Sequence, residues 1–153
     1  IGVGLVGSEM CIRDSLNALH YAATRAAKTG GGVEVLAIIT PQDQTHWLGV
    51  AEKMREEARE TIEENFQIYS NWMKDELKLE AELVIREGEK ATEVLNQISE
   101  DKEVGVLVLG ANNSSEGPGP LVSQLVSRDG GNLPIPVTIV PGSMTKERIE
   151  AVS

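Results

Sequence analysis

The residues best placed to do chemistry lie between Gly110 and Ser123, in the stretch GANNSSEGPGPLVS. It follows the apolar run VGVLVL and leads into the helical pattern from Leu121. Glycines at such a place remove Cβ obstruction and let backbone N–H groups turn toward an anion, and a following helix adds the positive end of its dipole. Gly110, Gly117 and Gly119 supply that freedom, Asn112 and Asn113 tolerate tight turns, and Ser123 and Gln124 add side-chain hydrogen bonds. The chemistry is recognition of a phosphate-like anion. The alternative is an ordinary long strand-to-helix connection, stiffened by Pro118 and Pro120.

Other reactive residue types are scattered. His20 and His46 have no partner histidine one helical turn away, and Cys11 is the single cysteine, so a metal site is not expected. Both histidines read as surface or cap residues. Glu56, Glu57, Glu60, Glu63 and Glu64 interleave with Arg55 and Arg59, a pattern that suits a salt-bridged helix surface better than a cation site. Ser114 and Ser115 are loop hydroxyls open to phosphorylation. No nucleophile–base pair is visible, so the sequence gives catalysis no support.

Positioning that loop is the task of alternating helices and strands. Leu16, Leu19, Ala22, Ala23, Ala26 and Ala27 recur at three and four residues, a small-residue helical face that Gly30-Gly31-Gly32 terminates. Val33–Ile39 is short, β-branched and almost wholly apolar, as a buried parallel strand should be. Helical spacing then runs from Trp47 through Met54, Ala58, Ile62, Phe66, Tyr69 and Met73 to Leu77, read as the core face of a long amphipathic helix. A strand over Glu80–Arg86, a helix over Glu89–Ser99 with Ala91, Val94, Leu95 and Ile98 on one face, and a strand over Val104–Leu109 follow. Leu121–Ser127 is helical, Pro136–Val140 is the last strand, and a polar helical tail ends the chain. Helices between short apolar strands force crossover connections, so the expected fold is α/β, a five-stranded parallel sheet with helices on both faces. Ligands of such sheets bind beyond the carboxyl ends of the strands, where the strand order reverses.

The bulk properties narrow the functions. The 153 residues suffice for one domain, and 14 basic against 24 acidic residues give a formal charge of −10. A chain so acidic repels phosphate backbones, so no nucleic-acid partner is expected. No apolar run approaches a membrane span, so no membrane partner is expected either, and a cytoplasmic location follows.

The amino-terminal segment stands apart. Leu5–Ser15, LVGSEMCIRDS, resembles one reading frame of a transposase sequencing-library adapter over eleven consecutive residues. On this reading residues 1–15 are non-native, the native first strand has been replaced, residues 16–142 form the domain, and 143–153 are a carboxyl-terminal tail. Asp14 belongs to the adapter-like stretch and is given no role.

From Leu16 onward the chain resembles the universal stress protein family. The resemblance rests on SLNALHYAATRAA, VEVLAIITP, ELVIREG, VGVLVLGA and PIPVTIVPG. It implies an adenine-nucleotide α-hydrolase-like sheet, a small stress-response module, and ATP or another adenine nucleotide as ligand. The family's phosphate motif, G-x2-G-x9-G-[ST], begins here at Gly110 and needs no gap to reach Pro136, but places Asn113, Ser123 and Gln124 at its remaining positions. Ile38 matches the strand position whose backbone meets adenine in the family. The resemblance also implies a homodimer through the last strand, Pro136–Val140. A dimeric interaction protein that binds no nucleotide is the second reading, and a slow nucleotide hydrolase the third.

Overall fold

The computed structural model describes residues 2–7, 12–39, 48–111, 120–127 and 133–153. Five strands, β1 (Gly2–Gly7), β2 (Val33–Ile39), β3 (Ala81–Glu87), β4 (Val104–Ala111) and β5 (Val137–Pro141), pair in parallel in the order β3-β2-β1-β4-β5. The helices are α1 (Ile12–Thr29), α2 (Leu48–Leu77), α3 (Lys90–Glu100), α4 (Pro120–Ser127) and α5 (Lys146–Val152). The central slot between β2 and β4 is filled by β1, whose Leu5, Val6 and Gly7 fall in the adapter-like stretch.

Strand alternation divides the core between the two faces. Ala18, Leu19, Ala22, Ala23 and Ala26 of α1 pack with Val33, Val108, Val140, Met73 and Leu79. Leu36, Ile38, Leu107 and Leu109 point the other way, onto Ala91, Val94 and Ile98 of α3 and Val122 and Leu125 of α4. The alanine face of α1 brings that helix close to the sheet, and the glycine stop is a left-handed cap. Gly30 has φ +74°, and the Gly31 N–H donates to the Ala26 carbonyl at 3.0 Å.

α2 departs from the continuous core face expected of it. Among its described side chains only Met73 is fully buried; Ile62, Phe66 and Tyr69 are half-buried, and Met54 is exposed. The reason is length. Thirty helical residues span about 45 Å, whereas a seven-residue strand spans about 23 Å, so the amino-terminal half of α2 runs past the carboxyl edge of the sheet. Arg55 and Arg59 reach Glu87 at the end of β3, at 3.5 and 3.9 Å.

The tail packs back on the domain. Thr145 caps α5 by accepting from the Arg148 N–H, Ile149 is fully buried, and Lys28 donates to the carbonyls of Glu150 and Ser153 at 3.1 and 2.8 Å. Asn17 donates to the carbonyls of Gly142 and Met144, which fixes the chain between β5 and α5. His20 is correspondingly not a surface residue. Its ring meets Trp72 edge-on at 5.4 Å and its Nε2 lies 3.6 Å from a Glu150 oxygen, while burial lowers its pKa below the ordinary histidine value. His46 lies outside the described residues.

Candidate functional site

The strand order places β2 and β3 on one side of β1 and β4 and β5 on the other, so the chain changes direction across the sheet between β1 and β4. The carboxyl ends there form the crevice in which open parallel sheets hold ligands. Registers put the candidate residues at one height. Val6 pairs with Leu109 and Gly7 with Ala37, so Gly110 and Ile38 both stand at or just past the end of β1. They flank it at two inter-strand spacings, about 10 Å apart.

Ile38 offers only its backbone. Its side chain is 3% exposed, committed to the apolar cluster under α3 and α4. Pairing of β2 with β3 continues to Ile39, but its described register with β1 stops at Ala37. The β1-facing edge of β2 at Ile38 and Ile39 therefore stands clear of the described part of that ladder. A planar ring with donors and acceptors on its edge suits such a site.

Gly110 is the penultimate residue of β4, level with Val140 of β5, and half-buried. Asn112, Asn113, Gly117 and Gly119 lie outside the described residues, as do Ser114 and Ser115. The structure resumes at Pro120, the first residue of α4, where proline's fixed φ and missing N–H suit a helix start. Ser123 is exposed on that helix and Gln124 half-buried beside it.

Gln124 is turned toward α3, a relation the sequence reading missed. Glu89 caps α3, accepting from the Thr92 N–H at 2.9 Å and from the Thr92 hydroxyl. These Thr92 bonds hold the Glu89 carboxyl below the usual glutamate range, and Gln124 is a further hydrogen-bonding group acting the same way. A carboxylate thus stands beside the position where the family motif has a hydroxyl. Glu89, one residue after a glycine and three before Thr92, was legible as a cap, but its approach to α4 depends on packing.

A profile of the universal stress protein family matches residues 11–141. Among solved structures, universal stress protein UspA from Lactobacillus plantarum superposes with a TM-score of 0.75 at 12% identity, covering 90% of this chain and 97% of that one. The universal stress protein of Archaeoglobus fulgidus in complex with dAMP gives a TM-score of 0.63 at 15% identity, covering 92% and 97%. An Arabidopsis thaliana family protein with AMP bound gives 0.57 at 12% identity, covering 91% of each chain. No curated protein sequence matches the chain.

Proposed function

The chain belongs to the universal stress protein family, and from that premise we propose that it is a small stress-response module that binds an adenine nucleotide across the carboxyl ends of β2, β1 and β4. The observation that carries this reading is the common height of Ile38 and Gly110 on either side of β1, at the reversal of strand order. The β2 backbone at Ile38 reads the adenine edge. The phosphates follow the 110–123 segment toward the amino end of α4, with Gly110, Asn112, Asn113, Gly117, Gly119 and Ser123 as the cradle. Dissimilar family structures that hold dAMP and AMP support the ligand class. Glu89 beside Gln124 opposes a long polyphosphate, so the mononucleotide is the better ligand and ATP the weaker one.

Titration calorimetry with AMP and ATP tests the reading. Saturable binding that Gly110→Val abolishes is the expected result; absence of binding at millimolar nucleotide would remove it.

A second reading concerns assembly. β5 is an edge strand, and Ile139 at its middle is 40% exposed. An apolar sheet edge calls for a cover, and a second copy paired through Pro136–Val140 supplies one. This dimer is compatible with either a nucleotide-binding or a purely protein-binding role. The same proposal takes residues 1–15 as foreign to the domain, with 16–142 the family domain and 143–153 its tail, which resequencing the 5′ end of the gene checks.

A further inference from the structure

The turn from β3 into α3 closes beside the crevice, where Arg86 pairs with Ile38 and Glu87 with Ile39. The Gly88 N–H donates to the Ile39 carbonyl at 3.0 Å. In a strand, the N–H and C=O of one residue point to one side and those of the next residue to the other. Ile39 therefore directs its polar groups to β3, and Ile38 presents both its N–H and its C=O toward β1, past the last described pairing at Ala37. A donor beside an acceptor complements adenine, whose amino group adjoins a ring nitrogen.

The Gly88 turn is gripped by α3. Its φ is +146°, and the Glu93 side chain lies so close that a Cβ on Gly88 would stand 2.7 Å from Oε1 and 2.9 Å from Cγ. That side chain is itself held, because Arg86 Nε donates to its carboxylate at 2.7 Å. Arg86 continues along the helix, donating from Nη1 to Gln97 Oε1 at 2.9 Å and to Glu100 at 2.8 Å. Gln97 donates in turn to Glu34 of β2 at 2.9 Å. The Arg86 and Glu93 side chains are only 21% and 17% exposed, so their bond is shielded from the solvent and salt that weaken surface pairs. Glu87, on the other side of Gly88, meets Arg55 and Arg59 at 3.5 and 3.9 Å on far more exposed side chains, a weaker hold.

We propose that the Arg86–Glu93 ion pair is a positioning device for the base: acting through the Gly88 turn and the Ile39 carbonyl, it fixes the direction in which Ile38 offers its donor and acceptor. This role rests on the adenine-nucleotide reading above and gives that site its base preference. Both residues act on the ligand only through backbone. Without the pair the Gly88 turn relaxes, the Ile39 carbonyl loses its partner part of the time, and the end of β2 no longer holds one orientation. The phosphate contacts on the β4 side do not depend on it.

Amide hydrogen exchange, with titrations of AMP and inosine monophosphate, tests the role in the full chain as wild type, Glu93→Leu and Glu93→Gln. In Glu93→Leu the Gly88 amide should exchange about tenfold faster. The Leu107 amide, which donates to the Pro136 carbonyl between β4 and β5, should keep its wild-type rate. AMP should lose about tenfold in affinity, and with it the advantage over inosine monophosphate, whose carbonyl replaces the amino donor. Glu93→Gln keeps an oxygen for Arg86 and should restore most of both. If Glu93→Leu folds poorly, Arg86→Lys, which keeps the charge but not the fork, gives the same readings. Wild-type exchange at Gly88, equal acceleration at Gly88 and Leu107, or an unchanged preference for AMP would overturn the positioning role while the nucleotide site stands. Failure of the wild-type chain to bind AMP would instead overturn the nucleotide reading, and this role with it.

Discussion

Gly88 stands at the end of β3 in a conformation that demands glycine. Its φ of +146° is a conformation that side chains rarely adopt, and a Cβ there would stand 2.7 Å from a Glu93 carboxylate oxygen. A side-chain end could normally move aside, but this one is held at 2.7 Å by Arg86. Gly88→Ala therefore strains the backbone and disturbs the ion pair together. Its expected cost is about 1–3 kcal/mol, measured as a lower urea midpoint with unchanged slope. Gly110 answers a different demand, an unobstructed approach for the ligand, so Gly110→Val should remove nucleotide binding with little loss of stability.

These residues differ in how far the sequence exposed them. Gly110 was visible because it follows an apolar strand and opens a glycine-bearing segment. Ile38 emerged only from the family resemblance, since nothing in its own type marks a backbone contact. The network of Arg86 with Glu93, Gln97 and Glu100, extended by Gln97 to Glu34, was not read from the sequence, because the meeting of these residues depends on how α3 packs on the sheet. A partial signal existed in Glu93, Gln97 and Glu100, whose spacing sets them on one side of a helix, facing a strand with a single arginine.

From Val33 to Pro141 element boundaries followed the apolar periodicities within a residue or two, because each strand run ends within two residues of a charged residue, glycine or proline. α2 is the instructive exception. Its periodicity fixed the helix but not the burial, which depends on where the sheet ends beneath it. Its carboxyl end shows a second departure from local preference. Lys78 adopts φ +57°, a left-handed cap in a non-glycine residue, so that the Leu79 N–H can donate to the Met73 carbonyl and Leu79 can enter the core. Lys78→Gly relieves that conformation and should raise stability by about 1 kcal/mol, read as a higher thermal midpoint. A fall in the midpoint would mean that the Lys78 side chain, which donates to the Asp75 carbonyl at 3.2 Å, outweighs the strain.

At the scale of the molecule, the alternation of helix and strand implied a parallel sheet, but the order β3-β2-β1-β4-β5 could not be read from it. That order decides where the crevice lies, because it puts the reversal beside β1. It also leaves β5 at an edge with Ile139 exposed. If that edge joins two copies, Ile139→Lys should convert a dimer to a monomer in sedimentation at micromolar protein while leaving the fold intact. A wild-type protein that sediments as a monomer would exclude the pairing.

The proposed ligand, an adenine nucleotide, lies across the carboxyl ends of β2, β1 and β4. Backbone amide NMR with AMP added to the full chain tests it most directly. Saturable shifts are expected at Ile38, Ile39, Gly110, Ala111 and the first turn of α4, with Glu34 at the opposite end of β2 unmoved. Shifts confined to other surfaces, or none at millimolar AMP, would contradict it.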